Sequence, residues 1–123
     1  MESDFAVHTH ITGRTVTLAL TGELDIVSSP ALEQTMAELS ASDVELVVVD
    51  LRELQFMDST GLHALIRAQQ QAHDLGREFA LVRGPEQVQR LFDLTGLVDT
   101  LTIVASPDQL PEVDRAHGTP EPL

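Results

Sequence analysis

The 123-residue chain contains no cysteine, tryptophan, tyrosine or lysine. The absence of cysteine excludes disulfides and thiol chemistry. Seven basic residues, all of them arginine, stand against 20 acidic ones, which gives a net charge of −13. A surface of that sign repels the phosphates of nucleic acids and anionic lipids, so neither nucleic acid nor membrane is expected as a partner.

Long apolar runs are also missing from the sequence. No segment approaches the roughly 18 consecutive apolar residues that a membrane-spanning helix needs. Residues 1–4 carry two acidic side chains where a secretory signal peptide would be basic. We therefore expect a cytoplasmic protein of one ordinary domain, with an aliphatic core because phenylalanine, present four times, is the only large aromatic residue.

The hydrophobic pattern predicts strands that alternate with helices. Apolar residues alternate with polar ones across residues 5–11 and 16–20, on either side of Thr12-Gly13-Arg14, which predicts an antiparallel hairpin. The run 46–51 is apolar except for Asp50, as in a central parallel strand covered on both faces. Shorter apolar runs predict strands at 79–82 and 101–104, and 3.6-residue spacing predicts helices that begin near Ser28, Ser59 and Gly84.

The resulting order, ββαβαβαβ, indicates an α/β fold. We predict a single domain over residues 4–105, with a mixed, mostly parallel five-stranded sheet, an N-terminal antiparallel hairpin and packed helices. Residues 106–123 hold four of the six prolines and are predicted to form a flexible acidic tail. Two loops at the carboxyl ends of strands, 22–28 and 55–61, should lie side by side, where such folds usually bind their ligands and partners.

The turn Asp58-Ser59-Thr60 leads from one of these loops into a helix. The first amides of a helix lack intrahelical partners and carry partial positive charge, so a hydroxyl there is well placed to carry or contact an anion. The same three residues are also good helix caps and need have no other role. Local chemistry leaves both interpretations open.

Enzymatic alternatives fit the sequence poorly. Ser59 and His63 lie one helical turn apart, but the Gly-x-Ser-x-Gly context and a third catalytic residue are missing. Asp50 ends a central strand, as the phosphorylated residue of a receiver domain does, yet the chain has no lysine and begins with a hairpin. Phosphate-binding and dinucleotide-binding glycine motifs are absent.

A metal site is not expected either. His8 and His10 share one face of a strand, whereas His63 and His73 are too far apart along a helix to share an ion. We interpret these histidines as surface residues. No catalytic residue, metal or cofactor is therefore predicted.

Two motifs together resemble the STAS domain family of anti-sigma factor antagonists. They are Gly22-Glu23-Leu24-Asp25 after the second strand and Phe56-Met57-Asp58-Ser59-Thr60-Gly61-Leu62 before the second helix. The resemblance implies a phosphoprotein that regulates transcription by partner switching in a stress response, and not an enzyme. In its unphosphorylated form it would bind an anti-sigma factor that is a serine kinase of the GHKL ATPase type and so release a sigma factor. Phosphorylation at Ser59 would abolish binding, and a PP2C-type phosphatase would reset the cycle.

The resemblance also implies the site residues. Ser59 is the expected phosphorylation site, with Thr60 as the fallback. Asp25 should orient the hydroxyl or face the kinase's nucleotide, while Leu24, Ile26 and Met57 are either apolar contacts or anchors in the core. The expected partner-binding residues are Glu23, Leu24, Asp25, Ile26, Met57, Asp58, Thr60 and Gly61.

An alternative function remains open at this point. The same domain type also serves as a non-switching interaction subunit, either as a scaffold in stress-signalling complexes or as an accessory protein of lipid-transport ABC systems. In that case Ser59 would act only as a capping residue.

Overall fold

The computed structural model describes residues 5–96 and 101–110. In chain order, its elements are β1 (Ala6–Thr12), β2 (Thr15–Leu24), α1 (Ser29–Leu39), β3 (Leu46–Asp50), β4 (Leu54–Met57), α2 (Ser59–Asp74), β5 (Glu78–Val82), α3 (Glu86–Thr95), β6 (Ile103–Val104) and a 3₁₀ turn (Pro107–Gln109). None of the described helices is long and apolar enough to cross a membrane.

The sheet has the strand order β1-β2-β3-β5-β6, in which β1 and β2 are antiparallel and the other neighbours are parallel. The predicted α/β class and mixed sheet with its N-terminal hairpin are thereby confirmed. The structure adds a sixth strand, β4, which the sequence analysis placed in a loop. β4 runs parallel to the last residues of β2, pairing Glu23 with Phe56 and Leu24 with Met57. Only its two end residues are buried, so it lacks the alternation that marks a strand in the sequence.

The helices pack on one face of the sheet around a single large core. Alternate residues of β2 and β3, among them Leu18, Leu20 and Val49, are completely buried in this core. Leu32 of α1, Leu65 of α2 and Phe92 of α3 complete it from the helix side. Burial of one such leucine stabilises the fold by about 2 kcal/mol. Together, the residues of this core fix the strands and therefore the loops at their ends.

The opposite face of the sheet carries a second, smaller cluster. Leu46, Val48 and Val82 are buried there, and Val104 and Leu110 pack against them. β3 is therefore buried on both faces, as its apolar run predicts. Residues 111–123, most of the predicted tail, lie outside the described residues, and the predicted domain boundary at residue 105 stays a prediction.

Asp50, at the end of β3, pairs with Arg52. Its carboxylate accepts hydrogen bonds from Arg52 Nη2 at 2.8 Å, Nε at 3.0 Å and the Arg52 amide at 3.1 Å. Burial by itself raises the pKa of this carboxyl, but the hydrogen bonds and charge of Arg52 outweigh it, so the net pKa is lowered from 3.8. Asp50 is thus a carboxylate at the end of a strand, paired with a neighbouring arginine.

The lowered pKa of Asp50 predicts the pH dependence of its contribution to stability. A carboxyl with a folded pKa below its unfolded value stabilises the fold above the unfolded pKa and loses this effect as pH falls through the folded pKa. Since Arg52 is half exposed, we expect Asp50→Asn to cost at most about 1 kcal/mol at pH 7. The difference in the free energy of unfolding between the wild type and Asp50→Asn can be measured by urea unfolding from pH 7 to pH 3. We expect this difference to shrink below pH 4, whereas a difference independent of pH would contradict the role assigned to Asp50.

Candidate functional site

The pairing of β2 with β4 brings the two predicted loops together. The Asp58 amide donates to the Leu24 carbonyl at 3.3 Å, directly beyond the Leu24–Met57 pair. The loop that follows β2 and the turn that precedes α2 therefore begin at the same point. This is the side-by-side arrangement predicted from the strand ends, and β4 is the element that produces it.

Asp58 is the N-cap of α2 and places Ser59 as the first residue of the helix. Asp58 Oδ1 accepts from the Gly61 amide at 3.0 Å, and its carbonyl accepts from the Leu62 amide at 3.0 Å. The described residues offer no acceptor to the amides of Ser59 and Thr60. Ser59 is exposed, while Thr60 is half-buried. An exposed hydroxyl thus stands beside free amides at the positive end of a 16-residue helix.

Gly61, in the first turn of α2, packs tightly against the end of β2. A Cβ atom built at this buried position would lie 2.3 Å from the Leu24 carbonyl oxygen and 2.9 Å from both Leu24 Cγ and Met57 Cγ. The backbone at Gly61 therefore approaches this chain's own strand closely. Only glycine fits without moving the start of the helix.

Leu24 and Met57 anchor the two loops in the core. Their side chains are 0% and 5% exposed, so of the two interpretations left open the structure supports the core anchor. Their cross-strand pairing directs both side chains inward. With Gly61, they form a buried support beneath Ser59, and their side chains are not available to a partner.

Asp25 and Ser28 form a hydrogen-bonded clasp inside the loop after β2. Asp25 Oδ1 accepts from the amides of Val27 at 3.0 Å and Ser28 at 3.1 Å. Ser28 Oγ donates to the Glu23 carbonyl at 2.7 Å and accepts from the Asp25 amide at 2.9 Å. Ser28 is the N-cap of α1, as the predicted helix start near this residue requires, but its hydroxyl makes no capping bond because it is used inside the loop. No hydrogen bond joins Asp25 to Ser59 among the described residues.

Four exposed side chains lie on the segments that lead into and out of this meeting point of the two loops. Glu23 and Ile26 were expected here from the sequence, whereas Val27 and Phe56 were missed. Ile26 is 71%, Val27 74% and Phe56 45% exposed, so the two loops present apolar as well as acidic side chains to solvent. Val27 could have been found from the sequence, because Ile26 and Val27 form an apolar pair between the polar residues Asp25 and Ser28. We call Glu23, Ile26, Val27, Phe56, Asp58 and Ser59 the acceptor face.

The acceptor face is negatively charged. Residues 23–29 and 55–61 contain three carboxylates and no arginine or histidine. Within the described ranges, no group of three or more histidine or acidic residues is arranged to hold a metal ion. His63, which the hydrolase alternative required, is exposed. Among the residues that the structure describes, it makes no hydrogen bond to Ser59.

Known proteins with the same architecture fit this description. The STAS domain model matches residues 6–110. The anti-sigma-B factor antagonist of Bacillus subtilis (strain 168) is 33% identical over 86 residues, which cover 70% of this chain and 78% of that protein. The anti-sigma-B factor antagonist of Staphylococcus epidermidis is 30% identical over 82 residues, which cover 67% of this chain and 76% of that protein. An anti-sigma factor antagonist from Mycobacterium paratuberculosis has a solved structure with a TM-score of 0.81, 25% identity and coverage of 91% of this chain and 95% of that one. The chain therefore belongs to the STAS domain family.

Proposed function

We propose that this protein is an anti-sigma factor antagonist that switches partners through Ser59. Its unphosphorylated form binds an anti-sigma factor of the serine-kinase, GHKL ATPase type and thereby releases a sigma factor in the cytoplasm. Phosphorylation of Ser59 ends this binding. The observation that carries the proposal is the exposed Ser59 at the first position of α2, directly after the Asp58 cap. The names of the relatives support the antagonist function.

The start of α2 suits a phosphorylated serine in the free protein. Phosphorylation adds about 1.5 to 2 negative charges at pH 7. The amides of Ser59 and Thr60 and the helix dipole favour an anion at this position. Asp58 keeps its capping bond to Gly61, so the helix start needs no rearrangement to accommodate the phosphate.

A bound partner would be far less tolerant of that phosphate. A surface that fits against Ser59 also faces the carboxylates of Glu23 and Asp58 and must already balance their charge. The added phosphate would bring a bulky, strongly hydrated anion into this contact, which costs desolvation and repulsion. The buried support formed by Leu24, Met57 and Gly61 keeps the surface in place, so the switch acts at the interface and requires no change of fold.

Reversal of the switch requires a phosphatase that reaches Ser59. An exposed phosphoserine at a helix start is accessible to a PP2C-type enzyme. The antagonist is a substrate in both steps and needs no nucleotide or metal of its own. A phosphatase of this type therefore completes the proposed cycle.

Phosphate transfer in a purified system tests the proposal. Each serine-kinase anti-sigma factor of the source organism is incubated with Mg-ATP and the wild type, Ser59→Ala or Thr60→Ala. We expect one kinase to phosphorylate the wild type and Thr60→Ala equally, and to leave Ser59→Ala unmodified. Transfer retained by Ser59→Ala and lost in Thr60→Ala would move the acceptor to Thr60. No transfer by any kinase would favour the non-switching interaction subunit.

A further inference from the structure

The edge strand β1 offers an open row of backbone groups. Among the described residues, β1 stands at one end of the sheet and pairs with β2 alone. Its seven residues pair with β2 without any shift of register, so the strand is regular along its whole length. Such an edge presents unpaired N–H and C=O groups, which another strand can bind. At the opposite edge of the described sheet, β6 has only two residues. β1 is therefore the edge that can accept a further strand.

β1 lacks the features that usually protect an edge strand from pairing. Charged side chains, proline and β-bulges are the common devices against edge-to-edge association. Residues 6–12 contain no proline, no arginine and no acidic residue. The last five of these residues are exposed. On a chain of net charge −13, this exposed strand is a place where two copies can approach without placing like charges in direct contact.

The two faces of β1 carry different side chains. Phe5 and Val7 pack against the main core, so the odd-numbered residues lie on the helix side of the sheet. Ile11 belongs to this side, yet it is 54% exposed. His8 and His10 lie on the opposite face, because side chains alternate along a strand. The helix side of β1 therefore keeps an apolar side chain in solvent, which a neighbouring strand would cover.

A second copy of β1 is complementary to the first in an antiparallel pair. Thr9 is the middle residue of the strand, so the pair centred on Thr9 is the one that uses all seven residues. On the helix side it places Ile11 opposite Val7 of the second copy, and the apolar residues cover each other. On the opposite face it places His8 opposite His10 of the second copy.

We propose that two copies of this chain associate through β1, in an antiparallel pair centred on Thr9 that joins their sheets into one. Since β1 is antiparallel to β2 and to its own copy, the two β2 strands run in opposite directions. The acceptor faces lie beside the carboxyl ends of these strands, at opposite ends of the joined sheet. The dimer therefore presents two separate Ser59 sites. This inference goes beyond the proposed function and does not depend on it.

Sedimentation equilibrium of the purified full chain tests the association. An interface made by one pair of strands is small and belongs to the weak class of complexes. We expect the mass to rise from that of the 13.4 kDa chain toward twice this value between about 1 and 500 μM protein. Ser59→Glu should associate as the wild type does, because Ser59 lies outside β1.

Paired charges at positions 8 and 10 test the register. His8→Asp/His10→Asp places like charges opposite each other, so we expect the dissociation constant to rise at least about tenfold. His8→Lys/His10→Lys should weaken the dimer similarly, although it lowers the net negative charge of the chain. His8→Lys/His10→Asp should restore the dimer, because each lysine then faces an aspartate of the second copy. Both positions are exposed, so the melting temperature should change little.

Three results would overturn the proposal. The first is a wild type that remains a monomer at every concentration. The second is a dimer that persists in both like-charge variants or is lost in Ser59→Glu, since the contact would then lie elsewhere. The third is a failure of the folded His8→Lys/His10→Asp variant to regain the dimer, which would exclude the register centred on Thr9.

Discussion

Ser59→Glu is expected to bind the anti-sigma factor kinase at least a hundredfold more weakly than Ser59→Ala does. Glutamate places a negative charge next to Asp58, on a face where a partner must already match the carboxylates of Glu23 and Asp58. A loss of about 3 kcal/mol is enough for a reduction of more than a hundredfold, and the phosphoserine itself, with more charge and greater volume, should lose at least as much.

Titration calorimetry with Ser59→Ala, Ser59→Glu and Ser59→Gln separates charge from size. Glutamine has nearly the shape of glutamate without the charge, so we expect it to lose less than tenfold in affinity. The difference between Glu and Gln should shrink as salt is added, since screening weakens repulsion between exposed charges. Equal affinity of Ser59→Glu and Ser59→Ala would mean that the kinase does not cover the acceptor face.

Gly61→Ala is expected to lower the free energy of unfolding by about 3 kcal/mol. The new methyl group would lie 2.3 Å from the backbone oxygen of Leu24, and a backbone atom cannot move aside as a flexible side chain can. The greater helix propensity of alanine, worth about 1 kcal/mol, offsets only part of this cost. To relieve the clash, α2 must move away from β2, which also displaces Ser59.

Gly76→Ala is the control for this prediction. Gly76 follows α2 with a φ of +73°, and a Cβ there would meet nothing within 4 Å. Its cost is therefore conformational, about 1 to 2 kcal/mol, and its distance from Ser59 should leave phosphorylation intact. Urea unfolding of both variants measures the free energy of unfolding, and the phosphate-transfer assay measures the phosphorylation of Ser59. A Gly61→Ala protein as stable as the wild type, and phosphorylated equally well, would contradict the prediction. It would show that the residues around Gly61 can accommodate a methyl group.

The parts of the fold that local patterns determine were predictable from the sequence. The apolar run of β3 marked a strand buried on both faces. Gly76 and Gly96, both at positive φ, follow the ends of α2 and α3, which is a common position for glycine. β4 was not predictable in this way. It exists because β2 extends past β3 and offers its last residues, Gly22 to Leu24, to a segment of only four residues.

The site was predictable to a similar extent. Asp58 as a cap and Ser59 at the helix start follow from residue types and spacing. The burial of Leu24 and Met57 does not, because an apolar residue beside a loop can face the core or a partner, and β4 decides which. Asp25 looked like a group aimed at Ser59, yet loop closure directs its carboxylate to the amides of Val27 and Ser28.

The most direct test of the central claim is the mass of the protein taken from its own cells. Intact-mass spectrometry of the wild type and of Ser59→Ala, before and after phosphatase treatment, shows whether Ser59 is phosphorylated in the cell. The switch predicts a wild-type fraction heavier by one phosphate, removed by the phosphatase and absent from Ser59→Ala. A wild type without phosphate under every growth and stress condition, still bound to one fixed partner, would contradict the switch and leave Ser59 as a residue at a helix start.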